Sequence, residues 1–230
     1  MIKLTYPGVG KVLYLGAEAA IILGELWGLK VIYKIRIPKP YRDEALDKQI
    51  RSLRTKNESK IMILAHRLGV NVPSILFVDL DNALIVMEYI EGPLLRDYLN
   101  KLDVKLSCKI IGDVGMYAGI LHKNGIIHGD LTTSNMVLSV REGKVYIIDF
   151  GLAKISKSIE DIGVDVHLFL RSLESVHFNV KDKLFKCFID GYEQILGRDY
   201  VNEVLKKVEE IRLRGRYVEE RRLRKIEYEL

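Results

Sequence analysis

Cysteine is scarce in this chain: only Cys108 and Cys187 occur in 230 residues. Two thiols offer neither a disulfide framework nor a metal-ligand cluster, and each reads as a small core residue. Long apolar runs are missing as well. No segment approaches the roughly 18 apolar residues that a membrane helix needs. Met1 to Gly10 carries no apolar stretch of a secretory signal, so a cytoplasmic location is the default expectation. Internal repeats and low-complexity segments are absent, which sets solenoids and flexible arrays aside. Nor does one sign of charge dominate. Lys and Arg number 36 against 31 Asp and Glu, a net charge of +5. That balance permits contact with nucleic acid without requiring it. With 48% hydrophobic and 29% charged residues, the chain reads as globular, enough for one large domain or two small lobes.

The first third has strand character. Val12–Leu15 is apolar, Gly16-Ala17-Glu18-Ala19 reads as a turn of small residues, and Ala20–Leu23 and Lys30–Ile37 resume the strand pattern. In the last of these, Val31, Tyr33, Ile35 and Ile37 alternate with Ile32, Lys34 and Arg36. Lys34 therefore faces away from the larger apolar set. Pro38 and Pro40 stop the strand. Asp43–Leu68 looks helical, as two helices, the second carrying a stripe of Ile61, Leu64, Ala65 and Leu68 one turn after Glu58, with Gly69 as terminator. Short strands follow at Ile75–Asp79 and Ala83–Glu88. Glu91-Gly92-Pro93 marks a linker. The second part is mainly helical, with Ser107 placed to cap a helix carrying Ile110, Val114, Tyr117 and Leu121. It is interrupted by a polar loop, His128–Asn135, and by two strands, Met136–Val140 and Lys144–Ile148, joined at Arg141-Glu142-Gly143.

The loop holds the most informative chemistry. Asp130 and Asn135 lie five positions apart, and Asp149-Phe150-Gly151 follows the hairpin. A carboxylate in such a loop orients and deprotonates a hydroxyl or water, while an amide oxygen and a second carboxylate hold a divalent ion against phosphates. Magnesium suits so few protein oxygens, because phosphates and water complete its shell. This spacing resembles the catalytic loop and Asp-Phe-Gly of protein kinases. Val31-Ile32-Tyr33-Lys34 resembles their phosphate-binding strand lysine. A lone strand lysine is ordinarily a surface residue, but these motifs in this order make Lys34 functional. Glu58, rather than Glu44, is its expected partner. Leu15 with Gly16, Ala17 and Ala19 occupies the place of the glycine-rich loop, although only one glycine of three remains. Met87, Glu88 and Ile90, just before Gly92-Pro93, stand where backbone groups reach an adenine edge. Gly8-Val9-Gly10-Lys11 suggests a P-loop but fails it, since Thr5 replaces the first glycine and Val12 the Ser or Thr.

The overall resemblance is to a bilobal protein-kinase-like α+β fold, with a small antiparallel β N-lobe over residues 1–90, a reduced helical C-lobe over 91–211 and a basic tail over 212–230. A narrower resemblance rests on several motifs together. These are Gly16-Ala17-Glu18-Ala19, Lys34-Ile35-Arg36 leading to Tyr41-Arg42, Leu46-Asp47, Arg54-Thr55 before Glu58, and Asp130-Leu131-Thr132-Thr133-Ser134-Asn135, with Arg212-Leu213-Arg214-Gly215-Arg216 near the end. They resemble the small atypical kinase of the KEOPS complex, the PRPK family. That resemblance implies an ATP-hydrolysing subunit using ATP and magnesium. Its implied partners are a threonylcarbamoyl transferase, small accessory subunits and tRNA, which is modified at position 37.

Departures from ordinary kinases carry physical consequences. Gly129 replaces the arginine that reads a phosphorylated activation loop. Thr132 replaces a lysine that would steady the transferred phosphoryl group. Only Leu152–Glu160 separates Asp-Phe-Gly from Asp161, too little for a peptide-docking segment. These losses point to a slow ATPase or a kinase of narrow range. Asp165 reads as the buried acid that anchors the catalytic loop. Two alternatives stay open: a small-molecule kinase of the aminoglycoside or choline type, which usually has a longer insertion than Leu94–Ser107, and a non-catalytic nucleotide-binding scaffold. In the tail, Arg212, Arg214 and Arg216 crowd five positions around Gly215, which weakens a helix. Such crowding calls for an anion, so the three are expected to contact tRNA or the partner.

Overall fold

A computed structural model describes residues 9–227, with side chains from Gly10 to Arg214. In chain order the elements are β1 (Val9–Leu15), β2 (Ala19–Leu26), β3 (Leu29–Arg36), α1 (Glu44–Arg67), β4 (Ile75–Asp79), β5 (Leu84–Glu88), α2 (Leu95–Tyr98), α3 (Val104–Lys123) and β6 (Ile126–Ile127). They continue with β7 (Met136–Leu138), β8 (Val145–Ile147), β9 (Lys154–Ile155), α4 (Ile159–Val176), α5 (Lys181–Leu196) and α6 (Arg198–Glu227). Two compact units result. One is the chain up to Pro93 with Met136–Lys154; the other is Leu94–Asn135 with the chain from Ile155 onward. The hairpin expected in the second lobe therefore belongs to the first unit, for a backbone reason. Leu138 N–H donates to Pro93 O, Val140 N–H to Glu91 O and Ile147 N–H to Asn71 O, all at 2.9–3.0 Å. Gly92 makes this possible, since a Cβ there would lie 1.9 Å from Leu138 O.

In the first unit, an antiparallel sheet runs β1-β2-β3-β5-β4. The β2–β3 connection is a two-residue turn at Trp27-Gly28, both with positive φ (54° and 78°), the twist that a tight hairpin favours. Alternation along β3 separates two faces. Val31, Tyr33 and Ile35 join Ala20, Ile22, Leu84 and Val86 in a buried cluster. The opposite face presents Ile32 beside Met87 and Lys34 beside Ile85. Helix α1 is continuous over 24 residues, not two helices. Its central hydroxyls bond back to the helix without breaking it: Thr55 Oγ1 donates to Arg51 O (2.8 Å) and Ser59 Oγ to Lys56 O (3.1 Å). Asp43 caps its start by accepting from Leu46 N–H. Its end is a Schellman turn, with Gly69 at φ 84° and Val70 N–H donating to Ala65 O.

The second unit is built on α3 against α5, close enough that a Cβ at Gly191 would lie 2.0 Å from Gly112 O. The cap of α3 is Asp103, which accepts from Lys105 and Leu106 N–H, and not Ser107, whose hydroxyl donates to Leu99 O from inside the first turn. Ile110, Val114, Ala118 and Leu121 line its buried stripe, with Tyr117 half-buried. Phe169, Phe188 and Tyr192 stack in series at 4.4 and 5.6 Å. The two cysteines are not isolated core thiols: Cys108 and Cys187 form a disulfide across α3 and α5, with Cα atoms 5.4 Å apart. Helix α6 runs on through Gly215, so the expected tail boundary at residue 212 falls inside a helix. Among the described residues no helix is long and apolar enough to cross a membrane.

Candidate functional site

The candidate residues fall into two groups, one in each unit. In the first unit, strand alternation aims Lys34 at α1, and its Nζ lies 2.6 Å from Glu58 Oε1 and 2.6 Å from Asp149 Oδ1. Glu44 sits exposed in the first turn of α1, about four helical turns before Glu58. Lys34 and Glu58 are buried, whereas the Asp149 side chain is about half exposed. Burial works to lower the Lys34 ammonium pKa, but the adjacent Glu58 and Asp149 carboxylates outweigh it and hold the pKa above the usual lysine value. The sign follows directly: a raised lysine pKa keeps the pair intact below about 10.4, the ordinary value, and loses it only at still higher pH. Asp149 adopts φ 61°, a left-handed conformation that costs a non-glycine residue energy and clusters at functional sites.

The segment in place of the glycine-rich loop is tied down by side chains. Gly16 N–H donates to Ala19 O (3.0 Å), Lys39 Nζ donates to Ala17 O, and Arg54 pairs with Glu18 at 2.6 Å. Leu15, at the end of β1, is 66% exposed and free of the sheet's core. The loop after β3 is in turn held by Asp47, which is buried, pairs with Arg51 (2.6 Å) and Arg42 (3.6 Å), and accepts from Lys39 N–H (3.3 Å). The hydrogen bond from Arg51 is the first of several interactions that lower its pKa. At the end of β5, Met87 is buried. Glu88 N–H donates to Ser74 O and Tyr89 N–H to Lys30 O, while no backbone acceptor among the described residues takes the N–H of Ile90.

In the second unit, the catalytic-type loop is hung on one carboxylate. Asp165 of α4 is fully buried; its Oδ2 accepts from His128 N–H (2.6 Å) and its Oδ1 from Gly129 N–H (2.8 Å). Sequence reasoning identified Asp165 but missed the chain behind it. His122 Nε2 lies 3.3 Å from Asp165 Oδ2 and Nδ1 lies 2.6 Å from the Tyr192 hydroxyl. A carboxylate only accepts, so Nε2–H donates to it and Nδ1 accepts from Tyr192. Burial pushes the Tyr192 phenol well above its usual range, which keeps it a donor. Gly129, at φ 81°, takes a backbone conformation that an arginine there would strain to adopt. Downstream, Asn135 Nδ2 donates to Asp130 O (2.9 Å) and Oδ2 (2.8 Å). With its nitrogen committed, Asn135 presents Oδ1 as an acceptor, and Asp130 keeps Oδ1 without a partner among the described residues. The short run after Asp-Phe-Gly is ordered: Ser156 N–H donates to Gly125 O (2.8 Å) and Ser156 Oγ to Asp161 (2.6 Å).

Two of the three crowded arginines find anions within the chain. Arg212 pairs with Glu174 at 3.0 Å and Arg214 with Glu160, both on α4. The Arg216 side chain lies outside the described residues, as does Gly8 of the failed P-loop segment, whose Val9, Gly10 and Lys11 open β1.

Comparison with known proteins supplies the context for this geometry. Residues 29–169 match the protein kinase domain family. The chain is 47% identical over 215 residues to a KEOPS complex subunit Bud32 of Pyrococcus abyssi, covering 91% of this chain and 97% of that one. It is 41% identical over 206 residues to a probable bifunctional tRNA threonylcarbamoyladenosine biosynthesis protein of Methanocaldococcus jannaschii, spanning 89% of this chain and 36% of that larger protein. Among solved structures, it is similar to the Rio2 kinase–ADP/Mg2+–phosphoaspartate complex of Chaetomium thermophilum. The TM-score is 0.57 at 18% identity over 91% of this chain and 72% of that one, a likeness of fold.

Proposed function

The chain belongs to the Bud32 family of the protein kinase fold, and from that premise we propose that it is a magnesium-dependent ATPase and atypical serine/threonine kinase. In this reading it serves tRNA threonylcarbamoyladenosine formation in the cytoplasm, as a subunit of a KEOPS-type complex with a threonylcarbamoyl transferase. The observation that carries the proposal is the meeting of Lys34 with both Glu58 and Asp149 at 2.6 Å. A buried ammonium fixed between two acids is a phosphate grip held ready.

Each residue has a role in this reading. Lys34 binds nucleotide phosphates, Glu58 orients it, and Glu88 and Ile90 offer backbone groups to the adenine. Asp149 and the Oδ1 of Asn135 are oxygen donors that fit magnesium, which when bound neutralises phosphate charge. Asp130 accepts the proton of an attacking water or hydroxyl, and Asn135 holds its carboxylate in place for that transfer. Arg212, Arg214 and Arg216 contact tRNA or the transferase. Gly129 and Thr132 leave out two aids of broad protein kinases, so the acceptor range is narrow.

The test is ATP hydrolysis by the full chain with a purified transferase partner. Asp149→Asn is expected to remove metal-dependent turnover. Full turnover by that variant overturns the metal assignment.

A further inference from the structure

Glu58 is gripped twice. Lys34 and Arg36 stand at i and i+2 on β3 and so project from one face. Lys34 Nζ takes Oε1 at 2.6 Å and Arg36 Nη2 takes Oε2 at 2.6 Å. Glu58 is 1% exposed, Arg36 5% and Lys34 6%. Both cations also abut the Asp-Phe-Gly turn: a Cβ at Gly151 would lie 3.4 Å from Arg36 Nη2 and 3.7 Å from Lys34 Nζ. The Arg36 Nε is buried with no hydrogen-bond partner, a cost that stability alone does not explain and that functional sites tend to keep.

The charge count gives the pair of grips a purpose. Lys34 and Arg36 balance Glu58 and Asp149. Were Lys34 the sole partner of Glu58, it could not turn its charge to an incoming phosphate without leaving a buried carboxylate uncompensated, a severe penalty. A second, immobile cation removes that conflict. We propose that Arg36 is a positioning residue for nucleotide binding: it neutralises and fixes Glu58 so that the charge of Lys34 is available to the triphosphate. This rests on the reading of Lys34 as the phosphate-binding lysine. It adds a residue whose substitution acts on phosphates without touching them.

The experiment is equilibrium binding of Mg-ATP and, separately, of adenosine to the full-length chain, for the unsubstituted protein, Arg36→Met and Arg36→Lys. Arg36→Met leaves one net negative charge beside the phosphates. It is expected to weaken Mg-ATP by about tenfold or more while adenosine stays within about twofold, because only the triphosphate feels the charge. Arg36→Lys restores the cation and is expected to recover most of the loss. Arg36→Met binding Mg-ATP normally, or losing Mg-ATP and adenosine by the same factor, overturns the proposal, the second result marking a purely structural role. A lysine variant as weak as the methionine variant overturns the neutralising role. If the unsubstituted chain binds Mg-ATP no better than adenosine, the reading of Lys34 falls and the inference with it. Normal discrimination that survives Arg36→Met removes the inference alone.

Discussion

The two units keep their functional groups in place by different means. Around Lys34 the first unit buries whole charges and balances them against one another, side chain to side chain. Around Asp165 the second unit buries a carboxylate and spends it on backbone N–H groups, with His122 and Tyr192 behind. An ion-pair cluster can redistribute when an anionic ligand arrives, because its members have alternative partners. A carboxylate holding main-chain amides has none, so the loop it carries stays in one conformation. Under the proposed function, the first arrangement suits groups that must release a ligand, and the second suits a catalytic loop that must not move.

The largest expected effect lies in the second unit. The Cys108–Cys187 disulfide closes a segment with a sequence separation of 79. The chain-entropy account of cross-links makes such a bridge worth about 4 kcal/mol. Reduction, or Cys108→Ser with Cys187→Ser, should lower unfolding stability by that order. Amide exchange should rise in α3 and α5, with the amides of α1 and β3 keeping their protection. Equal loss of protection in both places would break the contrast between the units. The outcome is read by hydrogen exchange with and without reductant.

Next comes the anchor. Asp165→Ala strips acceptors from the N–H of His128 and the ring of His122, both buried, and from the N–H of half-buried Gly129. Each unsatisfied buried donor costs about 1–3 kcal/mol, so a destabilisation of about 3 kcal/mol is expected in urea unfolding, together with loss of turnover. Asp165→Asn, which retains one carbonyl acceptor, should fall between. If both variants unfold like the unsubstituted chain, the loop is held by something else.

What was legible in the sequence follows the same division. Lys34 and Glu58 are marked by strand alternation and a helical stripe, and Asp130, Asn135 and Asp149 by short loop spacings; such patterns are local and survive in one dimension. Arg36 carries the same period-two signal as Lys34, yet a strand-end arginine reads as solvated unless its helix partner is already known. The disulfide joins two helices with no local signature. The chain from Asp165 through His122 to Tyr192 spans three helices, and a histidine on an apolar face is ordinarily just core. The expected split of α1 into two helices does not occur; its mid-helix hydroxyls bond to carbonyls of the preceding turn and the helix runs on. Asp103 and Ser107 are both capping types four residues apart, and composition alone does not choose between them.

The smallest expected effect concerns the arginines of α6. Crowded arginines were expected to need an external anion, but Glu174 and Glu160 already serve Arg212 and Arg214. Gly215 costs a helix about 1 kcal/mol relative to alanine, and α6 continues through it, with Val201, Val204 and Val208 buried upstream. These ion pairs are partly solvated. Arg212→Ala and Arg214→Ala should each change stability by less than about 1 kcal/mol. A polyanion docking there would have to compete with Glu160 and Glu174 for these guanidinium groups. With the transferase present, tRNA binding by the double variant should weaken, and its log-log salt dependence should flatten by roughly one unit for each phosphate no longer neutralised. Glu160→Gln, which frees Arg214, should act oppositely and tighten binding at low salt. Affinity and slope unchanged in all three variants would assign Arg212 and Arg214 to the structural pairing of α6 with α4, a job that needs no nucleic acid.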